Sequence, residues 1–287
     1  MSQTVRQIAE LRNSVRRWRR KGESIAMVPT MGALHAGHLA LVEAARQSAD
    51  RIIVTIFVNP AQFAEGEDLG RYPRAEAGDL EKLRPFDPDI VFAPSAEEIY
   101  PQGFDTAISV GGPSSGLESD TRPQFFTGVA TVVTKLLLAG LPDLATFGEK
   151  DYQQLLVVKK LVRDLNIPTT IIACPTIREP DGLALSSRNA YLSADERAAA
   201  PLLFETLGKL AGQIGGGAAI DDATAQATGD LERAGFDIDY LTVRNARTLE
   251  PVSDPATEPL RALVAARLGS TRLIDNVAVP RNSDADK

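Results

Sequence analysis

What most limits the fold of this chain is an alternation. Short apolar runs rich in β-branched residues are separated by longer amphipathic stretches. The runs are "SIAMVP" from Ser24, "RIIVTIFVN" from Arg51, "DIVFAP" from Asp89, "TAISV" from Thr106, "DLATFG" from Asp143 and "TTIIACP" from Thr169. Between them lie "LALVEAARQSA", "AEAGDLEKLRPF", "TGVATVVTKLLLAG" and "DYQQLLVVKKLVRDLN", each with helical periodicity. Continuously apolar strands joined by amphipathic helices predict an α/β fold, a Rossmann-like parallel sheet with helices on both faces. A first helix is expected from Thr4 to Arg20. Ligands of such sheets bind beyond the carboxyl ends of the strands.

The pattern changes after Pro175. A loop, "TIREPDGLALSSRN", leads to a helix near Ser193, a "GGGAA" segment and a second helix from Asp221 to Ala234. Three strands follow, "DIDYLTVRN", "RALVAARL" and "TRLIDNVAV", the last two joined at Gly269 and Ser270 as in a tight hairpin. The expected division is 1–175, nucleotide- and substrate-binding, and 176–287, a smaller α+β domain carrying "SSRN" at its start. The tail "RNSDADK" is expected to fray.

Composition narrows the function. With 287 residues, 44% hydrophobic and 24% charged, the chain reads as an ordinary globular protein. A net charge of −7 argues against non-specific binding to nucleic acid or acidic membrane. The basic run from Arg12 to Lys21 is read as a solvated helix face. The single cysteine, Cys174, excludes an internal disulfide and a multi-cysteine zinc site, and is read as a small buried residue. No apolar run reaches membrane-spanning length and the polar start lacks a signal-peptide core, so a cytoplasmic location is expected.

Several motifs lead nowhere. "GPSSG" at Gly112 to Gly116 has the G-x-S-x-G spacing, but both histidines lie upstream of its serine. There is no Walker-type phosphate loop, and no G-x-G-x-x-G follows the first strand. The two histidines, His35 and His38, lack a third ligand for zinc.

Those two histidines constitute the whole supply, and they fall in "MVPTMGALHAGH". A strand ending near Thr30, a glycine turn at Gly32 and a helix start near Ala36 form a phosphate-receiving geometry. Unpaired N–H groups and the positive end of the helix dipole are expected to face the ligand. The i, i+3 spacing puts both imidazoles on one face, and Gly37 between them lets a bulky ligand approach. Imidazoles there can donate to phosphate oxygens and stabilise charge as a phosphoanhydride breaks.

H-x-G-H after a first strand resembles the signature of the nucleotidyltransferase superfamily. Together, "VPTMGALHAGH", "VNPAQF", "YPR", "FGEKDYQQL" and "GLALSSRNAYL" resemble the pantoate–β-alanine ligase family from Ile25 to Val279. The resemblance implies condensation of D-pantoate with β-alanine at the expense of ATP through a pantoyl adenylate, with AMP and pyrophosphate released. It implies that Met31, Gly32, Ala33, Leu34, His35, Ala36, Gly37 and His38 hold ATP, with His35 and His38 on its phosphates. Gly148, Glu149, Lys150 and Asp151 are expected around the nucleotide, Lys150 as a compact cation on phosphate. Ile177 is expected to meet the adenine by its backbone, beside Leu185. Ser186, Ser187 and Arg188 stand in the place of the superfamily's second phosphate-holding signature, with Arg188 assisting the pyrophosphate leaving group. Gln62 and Gln154 are expected on pantoate, Gln62 also meeting β-alanine, with Asn59 as neighbour. Tyr72 and Arg74 are expected in a flap. Mg²⁺ is implied with the triphosphate and no protein ligand is evident; a homodimer is implied by the family. One departure stands out: the family usually shows R-P-G-H-F-x-G-V, while this chain reads "RPQFFTGV", with Gln124 and Phe125 in place of Gly-His. The strongest competing reading is a small-molecule nucleotidyltransferase that retains the nucleotide in its product. An aminoacyl-tRNA synthetase is disfavoured by the acidic balance.

Overall fold

The computed structural model describes residues 2–63, 68–70, 72 and 75–280. The chain falls into two compact units, residues 1–149 with 153–175, and residues 150–152 with 176–287. Lys150, Asp151 and Tyr152 therefore pack with the later residues, ahead of the expected boundary at 175.

In the first unit the elements run β1 (Gln3–Val5), α1 (Ile8–Arg20), β2 (Ile25–Thr30), α2 (Ala36–Arg46), β3 (Arg51–Ile56), α3 (Glu76–Leu83), β4 (Ile90–Phe92), α4 (Ala96–Ile99), α5 (Glu118–Thr121), α6 (Phe125–Gly140), β5 (Leu144–Gly148), α7 (Tyr152–Asp164) and β6 (Thr170–Cys174). The strands form a six-stranded sheet in the order β1-β4-β3-β2-β5-β6, and every pairing is parallel. The Rossmann-like expectation holds. Because both faces are covered, alternate residues of one strand serve opposite cores. Ala26 and Val28 pack with Val42 and Ala45 of α2 on one side. On the other side Met27 meets Gly140 of α6, where a Cβ would overlap the Met27 methyl.

Two elements differ from expectation. Thr106–Val110 is not a strand. Its Ile108 N–H donates to Thr131 Oγ1 of α6 at 3.0 Å, so a side chain takes the backbone donor that a sheet neighbour would need. The sixth strand is instead Gln3–Val5, which pairs with Ile90–Phe92 at the sheet edge and delays α1 to Ile8. The basic run of α1 is a solvated face: Leu11, Ser14, Val15 and Trp18 are buried while Arg12, Arg16, Arg17, Arg19 and Arg20 are exposed.

The later unit contains α8 (Ala194–Ala199), α9 (Leu202–Gly215), α10 (Ile220–Arg233), β7 (Phe236–Asn245), β8 (Leu260–Leu268) and β9 (Thr271–Ala278). Ser193 and Glu196 form a capping box that starts α8. The strands make an antiparallel sheet, β7-β8-β9. Its tight hairpin relies on Gly269, whose φ of 57° lies in the left-handed region. Leu203, Leu207 and Leu210 of α9 and Leu231 of α10 cover one sheet face, against Ala262, Val264 and Ala266. Each such leucine contributes ~1.5–3 kcal/mol by leaving water. Among the described residues no helix is long and apolar enough to cross a membrane. The tail from Arg281 lies outside the described residues.

The sheet topology positions the motifs. The chain leaves β2 toward β3 on one side, and β5 pairs on the other. The carboxyl ends of β2, β3 and β5 carry, in turn, the histidine turn, Asn59–Gln62 and Gly148–Lys150.

Candidate active site

The turn after β2 is unusually constrained. Gly32 and Ala33 both have positive φ, 81° and 50°. A Cβ at Gly32 would lie 2.9 Å from Asp79 Oδ2 and 3.1 Å from Ile56 Cγ2, so only glycine fits. Ala33 is held against its left-handed cost by Asp79 of α3, which accepts its N–H at 2.8 Å and that of Leu34 at 2.8 Å. Asp79 is 1% exposed. Lys82, one turn further along α3, donates to the Leu34 carbonyl at 2.6 Å. The buried carboxylate on a distant helix thus shapes the loop that delivers the histidines.

His35 is the N-cap of α2. Its Nδ1 accepts the Gly37 N–H at 3.2 Å, and His38 Nδ1 accepts the His35 N–H at 3.3 Å. The rings lie 4.1 Å apart between centroids, tilted by 41°. A ring whose Nδ1 accepts a backbone N–H carries its neutral-state proton on Nε2. Both imidazoles therefore have Nε2–H as their donor edge. This corrects one expectation. The turn's amides are not an unpaired row: Gly32 donates to Thr30 Oγ1, Ala33 and Leu34 to Asp79, His35 and Gly37 to the imidazoles, and His38 and Leu39 to the His35 carbonyl.

Beyond β3, Asn59 is 1% exposed and its amide is saturated. Oδ1 accepts from Ala61 N–H at 3.3 Å and Tyr100 O–H at 2.7 Å. Nδ2 donates to the Gly128 carbonyl at 3.1 Å and to Gln62 Oε1 at 3.0 Å. Asn59, expected as a neighbour of the substrate, is thus nearly buried, and one of its four bonds holds Gln62. Gln62 Nε2 approaches Met31 Sδ at 3.0 Å, joining the two loops. Tyr72 is buried, its ring edge-on to Phe63 at 5.9 Å, while Arg74 lies outside the described residues.

Gly148 ends β5 and Glu149 follows it. Burial and then the Glu149 charge push the Cys174 thiol up, in keeping with an inert buried cysteine. Gln153, not singled out from the sequence, is buried and latches the 113–118 loop: it donates to the carbonyls of Pro113 and Gly116, both at 3.0 Å, and accepts from Glu118 N–H at 3.1 Å. Gln154, its neighbour on α7, is half-buried.

In the later unit Lys150 is anchored by its backbone: Asn276 of β9 donates to its carbonyl at 2.9 Å. Its Nζ lies 3.9 Å from Asp151 Oδ2. Residues 177–185 form a small hairpin, with Leu185 N–H donating to the Ile177 carbonyl at 3.0 Å and an Arg178–Ala184 bridge. Arg178 fastens this hairpin by a bidentate pair with buried Asp275, at 2.6 and 2.9 Å, while lying 3.7 Å over the Phe204 ring. The hairpin delivers Ser186, whose Oγ caps the next turn by accepting the Arg188 N–H at 3.2 Å. Ser187 and Arg188 follow in that turn, half-buried.

The pantoate-beta-alanine ligase family matches residues 3–278. The chain belongs to the pantoate–β-alanine ligase family. Pantothenate synthetase of Caulobacter vibrioides is 53% identical over 281 residues, covering 96% of this chain and 98% of that one. The enzyme of Mesorhizobium japonicum is 55% identical, covering 97% and 98%. The crystal structure of pantothenate synthetase from Thermus thermophilus superposes with a TM-score of 0.91 at 46% identity, covering 97% and 99%. That of the Francisella tularensis ligase, complexed with beta-gamma ATP and β-alanine, gives 0.80 at 34% identity, covering 97% and 98%.

Against the family pattern, the "RPQFFTGV" departure acquires a physical account. Phe125 stands where the family's histidine is expected, and the Arg122 guanidinium lies 3.8 Å over its ring. Arg122 also donates to the Gln62 carbonyl at 3.2 Å. The guanidinium thus rests on an aromatic face that has no titrating group. Gly128, in the same motif, is where α6 touches the Asn59–Gln62 turn. A Cβ there would overlap the Ala61 carbonyl oxygen and lie 2.7 Å from Gln62 N. Glycine to alanine inside a helix ordinarily gains ~1 kcal/mol. Gly128→Ala is expected instead to lose ~1–3 kcal/mol in urea denaturation, because rigid backbone must move. A gain would show that α6 does not pin this turn.

Proposed function

We propose that this ligase condenses D-pantoate with β-alanine, using ATP and releasing AMP and pyrophosphate. The observation that carries the site assignment is the imidazole pair whose Nδ1 atoms cap the turn, leaving Nε2–H as donor. The pantoate carboxylate attacks the α-phosphorus; the new P–O bond forms as the bond to the β-phosphate breaks. The β-alanine amine then attacks the acyl carbon of the adenylate, AMP departs, and the amine loses a proton to solvent.

In this reading His35 and His38 donate to phosphate oxygens, and Lys150 and Arg188 offset the charge that builds on the phosphates and on departing pyrophosphate. Met31 to His38, Gly148, Glu149, Asp151, Ile177, Leu185, Ser186 and Ser187 surround the nucleotide. Gln62 and Gln154 hold pantoate. Among the described residues no three His, Cys, Asp or Glu side chains are grouped to hold a metal ion. Mg²⁺ suits this reading as a companion of the triphosphate, neutralising its charge and held by phosphates and water. A cytoplasmic homodimer belongs to the same reading on family grounds.

ATP with pantoate, without β-alanine, is expected to exchange labelled pyrophosphate into ATP. Absence of exchange in protein that makes pantothenate would remove the adenylate route. AMP retained in the product would point to a nucleotidyltransferase.

A further inference from the structure

The amide of Gln62 has a polarity set from outside itself. Ala61 N–H can only donate and the Gly128 carbonyl can only accept, so these backbone groups fix which end of Asn59 is oxygen. The Tyr100 hydroxyl reinforces that choice by donating to Asn59 Oδ1 at 2.7 Å. The second Asn59 N–H then points at Gln62 and requires an acceptor, which is Oε1 at 3.0 Å. Gln62 is left with Nε2 on the Met31 side, 3.0 Å from Sδ. A thioether is a weak acceptor, so this nitrogen is readily claimed by a better one.

We infer that Tyr100 is a positioning residue which, through Asn59, holds Gln62 nitrogen-outward, so that this position reads an acceptor oxygen of the acid substrate. The inference rests on the pantoate reading above for the identity of that acid. Tyr100 is well placed for it. It closes the one-turn helix α4, its N–H bonded to the Ala96 carbonyl at 2.7 Å. Its ring packs 6.2 Å from Phe57 and 5.2 Å from Phe104, and Lys135 Nζ sits 4.4 Å over Phe104. Burial pushes the phenol up to about 12, which keeps it a neutral donor throughout the working pH range. A tyrosine, with its rigid ring and single hydroxyl, thereby tightens the lock on an amide two hydrogen bonds away. With the lock intact, an acid presents a carboxylate or hydroxyl oxygen to a donor that does not rotate. An analogue offering only a donor there meets repulsion.

Tyr100→Phe removes the hydroxyl and little else. The Michaelis constant for pantoate is expected to rise on the order of fivefold to tenfold, with that for ATP unchanged within about twofold. Gln62→Glu keeps an oxygen for Asn59 but presents a second oxygen outward, and is expected to raise the pantoate constant more steeply, again sparing ATP. In ligand-free protein, NMR of side-chain amides is expected to show protected Gln62 protons that lose protection in Tyr100→Phe. That spectrum tests the lock without any substrate, whereas failure of the wild type to use pantoate would strike the functional reading alone. An unchanged amide spectrum, or equal shifts in the pantoate and ATP constants, would overturn the role given to Tyr100. So would wild-type pantoate affinity in Gln62→Glu.

Discussion

His38→Asn is expected to lower turnover by about 10²–10³-fold while leaving the thermal midpoint nearly unchanged. The choice of asparagine follows from the two jobs of the ring. His38 Nδ1 accepts the His35 N–H and so helps to cap α2. An asparagine oxygen can stand near that nitrogen and keep the cap. The Nε2 edge has no counterpart in asparagine, so the donor proposed for the phosphate is removed alone. Loss of one donor aimed at developing charge costs roughly 3–4 kcal/mol in the barrier, which corresponds to that fall in rate.

His38→Gln supplies the opposite half. Its amide reaches further and restores a donor near the Nε2 position, but it offers nothing at Nδ1. Activity should fall less than in the asparagine variant, and stability should fall by ~1 kcal/mol from the lost cap. Steady-state rates beside thermal unfolding of the two variants separate chemistry from scaffolding. Near-native turnover in folded His38→Asn would detach the Nε2 edge from the transition state. A loss of stability matching the loss of rate would assign His38 to the turn alone.

Local pattern carried most of the fold. Strands β2, β3 and β5 read directly because burial on both faces makes each a largely apolar run, and the partly exposed edge strand β6 reads from its β-branched residues. Thr106–Val110 has the same local look, yet Ile108 is bonded to a threonine side chain, and nothing within the segment records that. Gln3–Val5 is a strand only because Ile90–Phe92 offers it an edge, a partner 87 residues away. The histidine turn was legible because its residues are contiguous. Asp79 was not, since an acid in "GDLEKL" looks like any helix-start carboxylate until the backbone of Ala33 and Leu34 is brought to it. Asn59 shows the reverse case. Residue type and place suggest ligand contact, while its four hydrogen bonds run to Ala61, Tyr100, Gly128 and Gln62, and two of these partners lie so far along the chain that residue type does not record them. Lys150 read as a strand-end cation, while its anchorage by Asn276 required the fold. Types and order of motifs are local properties; which amide is already satisfied is a tertiary one.

Asp79→Ala is expected to cost ~2–5 kcal/mol of stability and to remove most activity, although Asp79 is buried and assigned no contact with substrate. The estimate comes from two backbone donors. Ala33 and Leu34 each lose a charge-assisted bond, and a buried donor without a partner costs ~1–3 kcal/mol. The loss is sharpened by conformation, because Ala33 stays at positive φ only while those bonds hold it there. Once released, the residue has a route back to the ordinary region of backbone space. That rotation carries Leu34 and the His35 cap with it, so both imidazoles lose their aim together. Lys82→Met supplies the control. It removes one bond to the Leu34 carbonyl from an exposed side chain on the same helix, and should cost no more than ~1 kcal/mol. Denaturant unfolding of the two variants, with the Michaelis constant for ATP measured wherever folded protein remains, reads the comparison. Should Asp79→Ala unfold like Lys82→Met and turn over at the native rate, the turn must owe its shape to Gly32 and Thr30. The distant carboxylate would then be an incidental neighbour.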